Sequence, residues 1–145
     1  MRNYTYYGLK LDGTAVPFKK EGMQKSFHIT FKFGIKDSDL EMIKNYLGKE
    51  TFVKVVGEGE LYAGSVLTNI GYQVEIPEEF AELYINKAVP HITLWITPEV
   101  DESGKKLGKA VNTRNCEFKS IEPFTVPAVF GLFDQNNDFY SSIEE

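Results

Sequence analysis

The sequence predicts a single α+β domain, with antiparallel-rich sheets forming two small lobes that face each other across a central cleft with pseudo-two-fold symmetry. Three observations lead there. The chain has 145 residues, 42% of them hydrophobic and 26% charged, which suits one domain over 1–145 with its own core. Stretches alternating in polarity or rich in β-branched and aromatic residues outnumber those with helical spacing. A hexapeptide near the start, Ser26-Phe27-His28-Ile29-Thr30-Phe31, is echoed by Val89-Pro90-His91-Ile92-Thr93-Leu94, as two similar lobes would produce.

Residues 4–11 and 26–33 read as the first two strands. On the first, Tyr6 and Lys10 share a face opposite Tyr7, Leu9 and Leu11. Asp37 or Ser38 then caps a helix with acids in its first turn. Leu40, Ile43 and Leu47 follow at helical spacing, and Gly48 stands where a glycine would end it. Segments 52–56, 60–68 and 72–76 read as strands, with Gly57-Glu58-Gly59 and Asn69-Ile70-Gly71 as hairpin turns between them. Pro77, followed by Glu78 and Glu79, opens a short helix that runs to about Ile85. Segments 91–97 and 124–133 complete the strands. Between them, from Glu99 to Asn115, lies a polar loop of about seventeen residues. It carries Lys105, Lys106, Lys109 and Arg114, and is either a solvated surface loop or a lid over the cleft. Ser141-Ser142 and Glu144-Glu145 read as a frayed tail.

Composition narrows the function. No apolar run approaches the roughly 20 residues of a membrane span, and Met1-Arg2-Asn3-Tyr4 lacks the pattern of a secretory signal. The one cysteine, Cys116, cannot form an internal disulfide or a Cys-based metal site, so a reducing compartment is expected. A net charge of −5 disfavours coating duplex DNA by bulk electrostatics. The expectation is a cytoplasmic protein (host cytoplasm, if viral) with neither membrane nor duplex DNA as partner. The sequence carries no signal for oligomeric state.

Both histidines of the chain are followed by Ile and then Thr. On a strand, residues two apart share a face. His28, Thr30 and Lys32 therefore oppose Phe27, Ile29, Phe31 and Phe33, while His91, Thr93, Trp95 and Thr97 oppose Ile92, Leu94 and Ile96. The apolar sets are the buried sides, which leaves the histidines and hydroxyls to line a cleft. Imidazole titrates near pH 6.5, so a facing pair can act as general base and general acid in one step. Thr30 and Thr93 can bind phosphate oxygens, and Lys32 can neutralise developing charge or simply be solvated. Trp95 can stack a base or complete the core. Tyr6 and Lys10 border the cleft if the first strand does. Phe130 and Phe133 read as core, although the last strand could offer a base-stacking surface. Two histidines alone are a poor metal site, and no carboxylate or thiolate stands at matching positions on those strands. No cofactor and no metal is expected.

His28-Ile29-Thr30 and His91-Ile92-Thr93 resemble the paired His-x-Thr motifs of the two-histidine (2H) phosphoesterase superfamily. Its members include 2′,3′-cyclic phosphodiesterases, phosphodiesterase domains of fungal tRNA ligases, 2′-5′ oligoadenylate hydrolases, and phage enzymes that destroy cyclic-nucleotide immune signals. The likeness covers most of the chain, from Tyr6-Tyr7-Gly8-Leu9 to Pro90-His91-Ile92-Thr93-Leu94. It implies catalytic His28 and His91, one as base and one as acid in either order, with Thr30 and Thr93 on the phosphate. It also implies a metal-independent phosphodiesterase acting on a nucleotide or short RNA. Destruction of a nucleotide messenger by a phage or viral enzyme, RNA end processing, and a non-catalytic RNA- or nucleotide-binding module all remain open.

Overall fold

The computed structural model describes residues 3–143; the expected frayed end at Glu144-Glu145 and the leading Met1-Arg2 lie outside them. The strands are β1 (Tyr6–Leu11), β2 (Phe27–Phe33), β3 (Glu50–Ala63), β4 (Val66–Glu75), β5 (His91–Ile96), β6 (Glu117–Phe133) and β7 (Phe139–Tyr140). One α-helix, α1 (Asp37–Ile43), and 3₁₀ turns at Gly13–Ala15, Glu78–Leu83 and Ala110–Asn115 complete the described elements. All the ladders are antiparallel, in the order β2-β1-β6-β3-β4-β5 with β7 beside β6.

This corrects the expected two-lobed α+β fold. Of the described residues, 45% are strand and 16% helix, and the strands form one sheet curled into a nearly closed barrel. β6 is the reason. Its 17 residues pair with β3 from Glu117 to Val129 and with β1 from Ala128 to Phe133. The hydrogen-bonded ladder therefore continues where two lobes would require a break. The ends of the sheet, β2 and β5, approach each other, and short bonds cross the seam. Gln24 N–H donates to the Leu94 carbonyl (2.9 Å), and the N–H groups of Ile85 and Asn86 donate to that of Phe31 (3.3 and 3.0 Å).

Both expected glycine turns are strand interior. Gly57-Glu58-Gly59 lies within β3 and Asn69-Ile70-Gly71 within β4. The glycines serve close approach: a Cβ on Gly59 would meet Phe118 at 2.7 Å, and one on Gly71 would meet Thr113 at 2.4 Å and the Ile92 carbonyl at 2.8 Å. The hairpin turns instead at Gly64-Ser65, where Gly64 takes a φ of 64°, a conformation that glycine adopts without the Cβ penalty. Segment 60–68, expected as one strand, therefore spans the turn. β6 begins earlier than 124 because Pro123 falls where the register with β3 breaks, between Phe124 and Ser120; proline is tolerated at such an irregularity.

The first expected helix forms only as the seven residues of α1, with Lys36 rather than Asp37 or Ser38 at its N-cap; it ends at Ile43, and the chain then turns to Gly48 (φ 81°), whose N–H donates to the Phe130 carbonyl (2.8 Å). The second is 3₁₀ (Glu78–Leu83) and stops short of Ile85. The Glu99–Asn115 loop is partly structured, with a bridge from Val100 to Lys106 and the 3₁₀ helix at its end. Phe31, Phe80 and Phe130 are fully buried. Phe80 stacks on Phe130 at 5.1 Å, and the Tyr7 hydroxyl donates to the Leu83 carbonyl (2.9 Å). These contacts seat the 78–83 turn on the apolar face of β1 and β6 and leave the opposite face of the motif strands for the histidines.

Candidate functional site

A cleft of about 650 Å³ is lined by Tyr6, His28, Thr30, Lys32, His91 and Thr93. The structure thus brings both His-x-Thr motifs to one cavity, because β2 and β5 meet at the seam and alternation turns both polar faces the same way. Burial follows that alternation: Phe27, Ile29 and Phe31 are buried, while His28, Thr30 and Lys32 are partly open.

The two imidazoles have different surroundings. His91 Nδ1 lies 2.8 Å from the Val89 carbonyl. A carbonyl only accepts, so Nδ1 carries the proton, and Nε2 is left as the atom available for proton exchange. His28 packs against the stacked rings of Tyr6 and Phe133, each with its ring centre 5.4 Å away. Burial, helped by the nearby His91 charge, pushes the His28 pKa down from 6.5 to about 4. Burial also lowers that of His91, the Val89 carbonyl opposes the fall, and the Arg114 charge adds to it.

The hydroxyls are held as well. Thr93 Oγ1 donates to Thr113 Oγ1 (2.9 Å), and Asn69 Nδ2 donates to the same Thr113 oxygen (3.1 Å) and to the Lys109 carbonyl (2.9 Å). These bonds clamp the Ala110–Asn115 helix against β4 and β5. Ala110, Val111 and Arg114 of that helix line the cleft. The end of the polar loop is thus docked on the site.

Two expected cleft residues, Trp95 and Lys10, lie outside the cleft, and a third, Lys32, lines it in an ion pair. Trp95 does not line the cleft. A bulge at Leu94, where Ile70 pairs with Trp95 but Gly71 with Thr93, breaks the alternation on which the expectation rested. The indole turns to the core side, and its Nε1 donates to the Glu21 carbonyl (3.2 Å). Lys10 pairs with His28 in register but is exposed and lies outside the cleft, with Nζ 5.5 Å from the Phe139 ring centre. Lys32 does line the cleft, yet its ammonium is bound to the Asp39 carboxylate at 2.7 Å. Burial would raise the Asp39 pKa, but the bonds from Lys32 and the Lys36 N–H outweigh it and hold the carboxyl below its usual range. Among the described residues that line the cleft, the cation without an ion pair is Arg114.

Tyr6 is where the sequence puts it, and is more engaged than expected. Its hydroxyl donates to Asn137 Oδ1 (2.9 Å), and its ring lies parallel to Phe133 at 4.5 Å. Burial, with the Asp134 charge behind it, raises its pKa. Sequence reasoning missed Gln24, Ser26, Phe33, Asn86 and Asn137, which also line the cleft. Gln24, Asn86 and Asn137 stand outside the strands, where no periodicity flags them; Ser26 immediately precedes β2 and shares the parity of His28 and Thr30, a signal that could have found it. Phe33 was placed in the buried set, but the β1–β2 register shifts between Tyr7 and Gly8, and the ring ends up 74% exposed.

No protein-family model and no curated protein matches this chain. Among the described residues, no three His, Cys, Asp or Glu side chains gather as a metal site would require, and no helix is long and apolar enough to cross a membrane.

Proposed function

We propose that the chain is a phosphodiesterase of the two-histidine type, acting without a metal on the phosphodiester of a nucleotide or short RNA. The observation that carries this reading is the opening of His28, Thr30, His91 and Thr93 onto one cavity. Its volume falls within the range typical of small-molecule sites and suits a nucleotide better than a folded RNA.

The surroundings favour one division of labour. His91 is the site that holds the proton of a singly protonated pair, because the Val89 carbonyl stabilises its cation while His28 sits against two aromatic rings. His28 then acts as general base and His91 as general acid. With a 2′,3′-cyclic phosphate, His28 takes a proton from water as the water oxygen bonds to phosphorus. The bond from phosphorus to one ribose oxygen breaks, and His91 Nε2 delivers its proton to that oxygen. The product is a phosphomonoester, and solvent returns the pair to its starting protonation. A longer substrate's own 2′-hydroxyl can replace water, which leaves a cyclic phosphate end. Thr30 and Thr93 contact the non-bridging oxygens, Thr93 by turning its hydroxyl from Thr113. Arg114 supplies the positive charge that stabilises the pentacoordinate phosphorus.

The test is turnover in EDTA, followed by chromatography, of wild type against His91→Ala. Nucleoside 2′,3′-cyclic monophosphates, 2′-5′ oligoadenylate and cyclic di- and trinucleotides form the panel. Cleavage of one member by wild type and its loss in the variant is the expected result, and the preferred member separates end processing from messenger destruction. Binding of these compounds with no cleavage of any would overturn the reading in favour of a binding module.

A further inference from the structure

Behind the cleft, buried polar side chains form a chain of hydrogen bonds that ends at Thr93. Asn69 of β4 and Thr113 of the 110–115 helix are fully buried, and Thr68 is nearly so. An unpaired amide at that depth is costly, and every polar atom of the Asn69 side chain is used. One Nδ2 hydrogen goes to the Lys109 carbonyl (2.9 Å) and the other to Thr113 Oγ1 (3.1 Å), while Oδ1 accepts from Thr68 Oγ1 (2.8 Å). A carbonyl only accepts, so the bond to Lys109 fixes which end of the amide is nitrogen. Asn69 therefore donates to Thr113 and cannot reverse. Gly71, the register partner of Thr93, makes room for this contact, because the Thr113 methyl lies where a Cβ would stand. Thr113 Oγ1 is in turn 2.9 Å from Oγ1 of Thr93, which lines the cleft.

We propose that Asn69 and Thr113 are positioning residues that make Thr93 a dedicated donor to one of the two non-bridging oxygens of the phosphodiester. This deepens the phosphodiesterase reading of the cleft and rests on it. When the phosphate enters, Thr93 swings its proton from Thr113 to the anionic oxygen. The Thr93 oxygen is then free to accept, and Thr113, whose oxygen keeps the Asn69 N–H, turns its own proton onto it. Every bond now points the same way, from amide to hydroxyl to hydroxyl to phosphate, and each polarises the next. The Ala110 carbonyl, 3.5 Å from Thr93 Oγ1, is too distant to compete with a charged acceptor. A chain that starts at a fixed amide and ends on a strand addresses a single oxygen, so the site treats the two non-bridging oxygens differently.

The experiment is equilibrium binding, by calorimetry, of deoxyadenylyl-3′,5′-deoxyadenosine and of its Rp and Sp phosphorothioates. The proteins are wild type, Thr113→Val, Thr113→Ser and Asn69→Leu, each checked for folding by circular dichroism. Sulfur is a weak hydrogen-bond acceptor, so the diastereomer with sulfur towards Thr93 has already lost the bond in question. Thr113→Val is expected to weaken the phosphate and one phosphorothioate by about three- to tenfold and to leave the other unchanged. Thr113→Ser, which keeps the hydroxyl, is expected to retain the wild-type pattern. Asn69→Leu is expected to repeat the selective loss and carries the test if Thr113→Val does not fold. Equal weakening of all three ligands, as a purely structural network would give, no weakening of any, or no binding by wild type overturns the relay. The probes lack a 2′-hydroxyl and the readout is binding, so turnover does not enter it. A protein that cleaves nothing but shows the selective loss loses the phosphodiesterase reading alone, and one that cleaves the panel with all three ligands weakened alike loses the relay alone.

Discussion

His28 and His91 stand in identical tripeptides, yet their neighbours give them different proton affinities. The proposed reaction needs one proton on the pair, so its working window in the free protein lies between the two titrations. The lower is near 4 and the upper lies below 6.5. kcat/KM measured against pH should therefore peak below 6.5 and decline as pH rises through the His91 titration; a peak above 7 would contradict the assignment. The kcat profile should sit higher, since a bound phosphate anion favours both imidazolium forms. In the proposed reaction Arg114, which lines the cleft, is the next residue to test. Arg114→Gln removes a charge that depresses His91, so the declining limb should move to higher pH while kcat falls by about tenfold or more. Lys32→Gln should cost less turnover than Arg114→Gln, because its ammonium already serves Asp39; its loss should show mainly as a lower melting temperature. The order of the two kcat values decides which cation faces the substrate.

At the scale of elements, two strand irregularities and one docked helix shape the site. The bulge at Leu94 turns Trp95 away from His91 and Thr93, and the register shift opposite Gly8 accompanies the exposure of Phe33. The 110–115 helix depends on Gly71, over which the Thr113 methyl sits. A methyl at that position would strike both Thr113 and the rigid Ile92 carbonyl, so Gly71→Ala should cost about 1–3 kcal/mol of stability. It should also lower kcat, by displacing Arg114 and the partner of Thr93. Gly64→Ala makes a useful contrast: its Cβ would meet nothing within 4 Å, so only the left-handed φ is penalised, at about 1 kcal/mol. Denaturant melts and turnover of the two variants should separate, with only Gly71→Ala losing activity. Glycine thus does two jobs in this chain, and what a Cβ would meet, together with φ, distinguishes the turn at Gly64 from the close approach at Gly71.

The whole molecule inherits an acid sensitivity from the site. His28 binds a proton less readily folded than unfolded, with a pKa of about 4 against 6.5. Its contribution to stability is complete above 6.5 and is lost as pH falls through about 4, amounting to at most about 3 kcal/mol. Urea melts from pH 7 to 4 should show this decline, and His28→Gln should flatten it, whereas an unchanged slope would place His28 in water. Asp39 and Glu79, both held below their usual range, add losses lower still. Much of this was legible in the residue order. Alternation identified strands around both motifs, the acids from Asp37 marked the start of a helix that ends at Ile43 rather than before Gly48, and the matched tripeptides picked out four groups that do share a cavity. The single curled sheet was not legible, and two lobes were expected in its place, since β6 pairs on both edges and no local pattern records how many partners a strand has. By itself, then, the sequence determined the chemistry available: two imidazoles, each with a hydroxyl two residues along on the polar face of a strand. The tertiary structure decided which groups can use it. Closing the sheet brought β2 against β5, Asp39 claimed Lys32, and Thr113 carried Arg114 to the cleft. Side-chain parity is a property of a few successive backbone units, whereas bulges, ion pairs and docking depend on residues brought together across the fold.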